Sequence, residues 1–290
     1  MPRPDWLLID GSSLIFRAYY GVPGTVRSPD GRQINAVRGF AETLTRLLTT
    51  RRPLRLAVAS DEDWRPQHRV DLIPSYKAHR VAEPVPPALD PQFPLIHALL
   101  DALGIAFVGA AALEAEDVIA SWVEQVSGRI EIVSGDRDLF ALVRDPDVTV
   151  LYPEKGGMAV VDEAEVTRRY GVPGRRYADF AVLRGDPSDG LPGVRGIGAK
   201  TAAQLIRRYG SITAVLESGR LSEADADYVR RAVLVVSPGS AVPVPPPVGR
   251  RSRWPDDDGR LREITGELGL GDTVARLLAA LRGALTEAAE

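Results

Sequence analysis

Short apolar runs alternate with stretches of helical periodicity up to about residue 160. Trp6–Asp10 (WLLID), Leu54–Ser60 (LRLAVAS), Ile105–Val108 (IAFV), Ile130–Ser134 (IEIVS) and Val148–Tyr152 (VTVLY) have the length and β-branched content of buried strands. Between them, Ala36–Thr49, Leu95–Leu103 and Glu114–Val126 carry apolar residues every three or four positions, the spacing of a helix with one buried face. Strand–helix alternation predicts an α/β fold with a mostly parallel central sheet covered by helices on both faces. From Asp162 to about Leu234 the pattern is wholly helical, so a helical subdomain follows the sheet. A Pro-rich linker, SPGSAVPVPPPVG, then leads to a last amphipathic segment, ITGELGLGDTVARLLAALRG. The expected division is a core over 1–161, a helical subdomain over 162–236, and a linker plus closing helical segment over 237–290 that packs back on the core.

One connection breaks the rhythm. Residues 63–94 join the second and third strands without a strong pattern, and a connection this long inside a compact domain is usually functional. Basic Arg65, Arg69, Lys77, His79 and Arg80 interleave there with Trp64 and Tyr76. Cations for phosphates and rings for bases suit a nucleic-acid strand. A solvated helix packed through Val70, Leu72 and Ile73 explains the same segment equally well.

Composition narrows this picture. The 290 residues are 44% hydrophobic and 26% charged, enough for a real core. There is no cysteine, so thiolate metal sites and disulfides are excluded. No apolar run is long enough to span a membrane, and a cytoplasmic protein is the expectation. The net charge of −3 argues against nucleic acid unless many carboxylates form a cluster neutralised by metal. Only Lys77, Lys155 and Lys200 are lysine among 36 basic residues, and two of them fall in the segments singled out here.

The carboxylates do gather at one edge. Asp10 ends the first expected strand, Asp61 follows the second, and Asp136 and Asp138 follow the fourth. Open α/β sheets bind ligands outside these carboxyl ends. Glu114 and Asp117, three apart, share a helix face. Asp186 and Asp189 come from the helical subdomain. An N-cap explains Asp138 or Glu114 singly, but not the recurrence. Such a crowd cannot stay ionised without cations among it. Oxygen donors with three histidines and no cysteine favour Mg²⁺ or Mn²⁺, as in phosphodiester hydrolysis by two ions. The chain lacks a P-loop, a nucleophile elbow and a zinc-like histidine set. Further on, GDPSDGLPGVRGIGAKT (185–201) places glycines before an amphipathic helix, AKTAAQLIRRYG. That arrangement can bring backbone N–H groups close to a phosphate.

Taken together, LLIDGSSLIFRAYYG, YKAHR, EAEDVIA, SGDRDLFALV and GDPSDGLPGVRGIGAKTA resemble the 5′-nuclease family, meaning flap endonucleases and the 5′–3′ exonuclease domain of bacterial DNA polymerase I. The resemblance covers nearly the whole chain, including the closing GELGLGDTVARLLAAL, and is to a free-standing bacterial 5′ nuclease. It implies a PIN-like core, an arch formed by the 63–94 segment, and a helix–three-turn–helix subdomain that grips duplex DNA. It also implies that Asp10, Asp61, Glu114, Glu116, Asp117, Asp136, Asp138, Asp186 and Asp189 hold Mg²⁺ or Mn²⁺. Lys77, Arg80 and Arg17 would act on the scissile phosphate, and Tyr76 would stack on a displaced base. The hairpin over 185–209, through Gly193, Val194, Gly196, Ile197, Gly198, Lys200 and Thr201, would hold the duplex backbone together with a K⁺ ion.

The implied activity is exonuclease and flap endonuclease cleavage at 5′ ends, flaps and nicks of duplex DNA. RNA-primed ends are included, the roles are primer removal and repair at the nucleoid, and the protein is expected to be a monomer. The sequence departs from the family at Glu116, usually Asp, and at Gly190, usually Asn. Asp63 rivals Asp61 for the strand-end role. These departures leave a junction-binding protein with an impaired centre as one alternative. A PIN-type ribonuclease is another, with the duplex-gripping hairpin counting against it.

Overall fold

The computed structural model describes residues 3–82, 85–239, 242–249 and 254–285. Glu83 and Pro84 of the expected arch, Ser240, Ala241 and Arg250 to Arg253 around the linker, and the last five residues of the tail lie outside the described residues.

A six-stranded sheet carries the fold: β1 (Trp6–Asp10), β2 (Arg55–Ala59), β3 (Ala106–Val108), β4 (Ile130–Val133), β5 (Val148–Glu154) and β6 (Gly157–Val161). The spatial order is β3-β2-β1-β4-β5-β6. Pairings are parallel except for the β5–β6 hairpin. The chain moves outward from β1 to β2 and β3, then returns to the other side of β1 with β4. The strand order therefore reverses between β1 and β4, and a crevice opens there at the carboxyl ends. β6 was not expected from the sequence. GMAVV is a short run with weak alternation, and its strand character comes from pairing with β5 across the turn at Lys155 and Gly156.

β1 is buried along its whole length, as a central parallel strand must be. Leu7 and Ile9 face one layer with Leu56, Val58 and Val133. That layer is made by α1 (Gly11–Gly21), α2 (Asn35–Arg51), α5 (Gln92–Leu103), α12 (Asp258–Leu268) and α13 (Gly271–Leu285). α13 lies along α2 and α12 along α5, so the C-terminal segment covers this face. Leu8, Ala57, Ile132 and Val150 face the opposite layer. There α6 (Ala115–Gln125) is joined by the helices after the sheet: α7 (Glu163–Tyr170), α8 (Tyr177–Arg184), α9 (Ala199–Tyr209), α10 (Ile212–Glu217) and α11 (Glu223–Val236). Each leucine or isoleucine buried this way contributes about 1.5–3 kcal/mol. The sheet is thereby clamped from both sides, which fixes its carboxyl edge.

Among the described residues, the connection over that edge contains only α3 (Gln67–Leu72) and the single turn α4 (His79–Ala82). α3 packs on α11 of the helical subdomain. Among the described residues, no helix is long and apolar enough to cross a membrane.

Candidate active site

Asp10 sits where β1 turns directly into α1. One carboxylate oxygen accepts the Ser13 N–H at 2.9 Å and caps the helix, while the other accepts the Ser134 hydroxyl from the end of β4 at 2.5 Å. Asp10 therefore stitches the two strands across the switch point. Burial, reinforced by the charge of Asp61, pushes its carboxyl up to about 7. Asp61 accepts the N–H of Ala115 at 2.7 Å, which joins the end of β2 to the start of α6. Burial raises its carboxyl as well. Asp63 instead accepts the N–H of Arg65 two residues on, a local turn bond. Asp61, not Asp63, lines the cavity at the edge.

Glu116, Asp136 and Asp138 each bring a carboxylate oxygen within 4.8 Å of the other two. Asp136 and Asp138 are fixed by the tight turn after β4: Ser134 Oγ accepts the Asp136 N–H at 2.8 Å, and Asp136 accepts the Asp138 N–H at 2.9 Å. Burial drives the carboxyls of Glu116 and Asp138 well above the usual range, and Asp136 adds to both shifts. This set has only hard oxygen donors, and one arginine contact on Glu116 leaves the Glu116 and Asp138 carboxyls raised all the same, so it fits a hard divalent cation. The shared edge holds a cavity of about 510 Å³ lined by Asp10, Asp61, Glu114, Glu116 and Asp136, and a smaller one of about 200 Å³ reached by Asp136, Asp186 and Asp189. Asp136 belongs to both.

Glu114, Asp117 and Asp186 are each held by the protein's own cations. Glu114 is bonded by Lys77 Nζ, by Arg69 Nη1 and by the Tyr76 hydroxyl at 2.5 Å. Burial alone would raise its carboxyl, but Lys77 and Arg69 hold it below the usual range. Asp117 is not one of the trio and accepts Arg69 Nη2 at 2.7 Å and the Gly239 N–H at 2.8 Å. Asp186 receives Arg137 at 3.1 Å and Arg184 at 3.0 Å, and its carboxylate also caps the turn at Ser188. Asp189 is pushed up to about 6 by burial.

The connection over the edge differs from the expectation in one respect. Tyr76, expected to stack on a base, is only 2% exposed, with its ring beneath Lys77 and its hydroxyl on Glu114. A base cannot reach it in this arrangement. Tyr20, at the end of α1, is 72% exposed and lines the larger cavity beside Phe16 and Trp64. Lys77 lines the same cavity although it is buried, and Arg80 stands 3.6 Å from Glu114 with Nη1 on the Trp64 carbonyl. Arg17 is exposed and lines neither cavity.

The Gly190 departure has a steric cause. Gly190 has φ +70°, and a Cβ there would lie 1.9 Å from the Ser75 carbonyl oxygen. The segment before Lys77 presses onto this turn, and the Lys77 N–H donates to the Asp189 carbonyl at 2.9 Å. A side chain would push the two apart.

Beyond the acids, Gly193 (φ +71°) passes so close to Arg184 that a Cβ would sit 2.5 Å from its carbonyl oxygen. The Gly193 N–H is held by the Tyr228 hydroxyl at 3.0 Å, and Val194 is buried. These anchors leave Gly196, Gly198, Lys200 and Thr201 exposed, with Ile197 half-buried. Gly198 offers no side-chain cap to α9, so its first N–H groups face solvent.

A family model described as the 5′-3′ exonuclease N-terminal resolvase-like domain matches residues 5–171, and one described as the 5′-3′ exonuclease C-terminal SAM fold matches 172–232. A 5′-3′ exonuclease of Streptomyces coelicolor is 46% identical over 95% of this chain and 99% of its own length. The chain belongs to the 5′-3′ exonuclease family. A second member, from Mycobacterium tuberculosis, is 43% identical over 96% of the chain and 98% of that protein. The DNA polymerase I of Mycobacterium bovis is 40% identical over 74% of the chain but only 24% of the polymerase.

The fold of this exonuclease is shared by the bacteriophage T5 flap endonuclease in a pseudo-enzyme–product complex with DNA and metal ions. That structure has a TM-score of 0.66 and 17% identity, over 96% of this chain and 98% of that one. Flap endonuclease-1 from Methanococcus jannaschii gives 0.62 and 19%, over 96% and 93%. Sequence reasoning assigned no role to Arg137, Arg184, Ser134 or Tyr20. Arg69 stood out only as one of several cations in the 63–94 segment. Ser134 and Tyr20 lie inside motifs whose acidic and basic members drew the inference instead.

Proposed function

We propose that this exonuclease is a divalent-metal-dependent, structure-specific 5′ nuclease. Its substrates are phosphodiester bonds at 5′ ends, flaps and nicks of duplex DNA, including RNA-primed ends, so that it serves primer removal and repair. The observation that carries the reading is the trio of Glu116, Asp136 and Asp138, whose converging carboxylates are answered among the described residues by one arginine contact, Arg69 on Glu116, and by no ion pair on Asp136 or Asp138. Mg²⁺ or Mn²⁺ held there, with a second ion toward Asp186 and Asp189, would activate water and stabilise the leaving oxygen.

The chain's own residues do the rest. Asp10 and Asp61 flank the trio and extend its negative wall. Lys77 and Arg80 line the same cavity as Asp10, Asp61, Glu116 and Asp136, where they can take the charge of a phosphate. Releasing Lys77 from Glu114 is the step that frees its ammonium for this. The exposed hairpin at Gly196–Thr201 holds the duplex by its backbone, through α9 N–H groups and Lys200, without reading sequence. Glu116 belongs to the trio, so its departure from the family's usual Asp supplies a donor rather than a defect, which counts against an inert junction binder.

The test is a 5′-labelled DNA flap on a nicked duplex, incubated with Mg²⁺ and separately with Mn²⁺, beside matched single-stranded DNA and RNA. Metal-dependent release of the flap at its junction, with single strands spared, is expected. Tight binding without product in either metal would contradict the reading.

A further inference from the structure

Arg69 is a buried guanidinium with an unusual set of partners. It comes from α3, in the connection over the edge, and is 2% exposed. Nη1 donates to Glu114 and, at 2.6 Å, to Glu116; Nη2 donates to Asp117 at 2.7 Å. One fork thus spans three carboxylates from the first turn of a single helix. Its Nε is buried and has no hydrogen-bond partner among the described residues. Leaving a buried donor dry is costly, so the orientation is dictated by the carboxylates rather than by satisfying the arginine.

We infer that Arg69 is a positioning residue of the acid centre, orienting the Glu116 carboxylate toward Asp136 and Asp138 before a metal ion arrives. This rests on the nuclease reading above. Asp136 and Asp138 need no such help, because short side chains on a tight turn are held by N–H bonds and Ser134. Glu116 has three rotatable bonds, and among the described residues Arg69 is the group that bonds its carboxylate. Arg69 is itself clamped. Asp117 takes its other nitrogen, and Asp117 is fixed in turn by the N–H of Gly239, where the chain leaves α11. The line Gly239–Asp117–Arg69–Glu116 connects the segment just after α11 to the trio. Partners of metal ligands that set their orientation in this way typically govern metal affinity by 10- to 100-fold.

Positioning and simple charge neutralisation differ in what lysine would do. Arg69→Lys keeps the charge but cannot bridge three carboxylates with a planar fork. The experiment titrates Mn²⁺ by electron paramagnetic resonance into the DNA-free protein, as wild type, Arg69→Lys and Arg69→Gln. Circular dichroism identifies which variants are folded, and having two keeps the test decisive. Positioning requires Mn²⁺ binding about 10-fold weaker in each folded variant, with a matching rise in the Mg²⁺ concentration for half-maximal flap cleavage. Unchanged or tighter Mn²⁺ binding in either folded variant would overturn the inference and leave Arg69 as a counter-ion. The metal readout does not need cleavage. A wild type that cuts no flap would therefore refute the nuclease reading while the Mn²⁺ titration still decides on Arg69.

Discussion

Two groups of carboxylates share one edge of the sheet and are treated in opposite ways. Glu114, Asp117 and Asp186 each meet a guanidinium or ammonium from the chain itself. Among the described residues, Glu116, Asp136 and Asp138 converge with a single arginine contact at one end, and Asp10 and Asp61 nearby have hydroxyl and N–H partners but no ion pair. Burial opposes ionisation at Glu114 as it does at Asp10, Glu116 and Asp138, yet Glu114 is held down while the other three are pushed up. Acids paired internally hold the connection over the site and the subdomain turn in place. The acids with fewer internal cations form the place where an external cation lowers the energy most.

The sharpest way to break this comparison is to neutralise one acid from each group. Asp138→Asn should slow flap cleavage at least about 1000-fold, about 4 kcal/mol of barrier, while the metal-free protein melts a few degrees higher because a repelled charge is gone. Single-turnover cleavage and a thermal melt read the two effects. A variant that cuts within tenfold of wild type would remove Asp138 from the centre.

Glu114→Gln should do the reverse to stability. It strands Lys77 and Arg69 with less compensation, and breaking a buried pair from one side costs about 3 kcal/mol or more. A loss of about 8 °C in Tm is expected for a chain of this size. An unchanged melt would mean that the pairing holds nothing together.

The smallest effect is in pH. A carboxyl pushed up in the fold binds its proton more tightly there than in the unfolded chain, so its contribution to stability is complete at low pH. That contribution begins to fall above the ordinary aspartate value of 3.8 and is lost once pH passes about 7 for Asp10. Glu114 acts oppositely, but only below its ordinary value of 4.5. Metal-free protein should therefore melt about 5 °C lower at pH 8 than at pH 5.5, and saturating Mg²⁺ should close most of the gap at pH 8. A flat profile without metal would deny that burial and neighbouring charge raise these carboxyls in the fold.

Much of this division cannot be read along the chain. The five parallel strands, their order of appearance and the acids at their ends are local patterns, and periodicity reveals them. Asp61 could be preferred to Asp63 because it directly follows the apolar run of β2. What pairs with what is not local: Arg69 lies 45 residues before Glu114, and their contact depends on how the connection drapes over the edge. Tyr76 looked like a stacking ring because aromatic and basic residues alternate around it. Burial against Glu114 decides otherwise. Gly190 looked like a lost side chain, and only the approach of Ser75 explains it. β6 emerged from hairpin pairing rather than from its own composition.

The measurement that tests the account most directly is a crystal grown with Mn²⁺ and read by anomalous scattering. An ion within bonding distance of Glu116, Asp136 and Asp138, with Arg69 still on Glu116 and Asp117, is the result the account predicts. An ion seated instead between Glu114 and Asp117 with Arg69 displaced, and none at the trio, would contradict it.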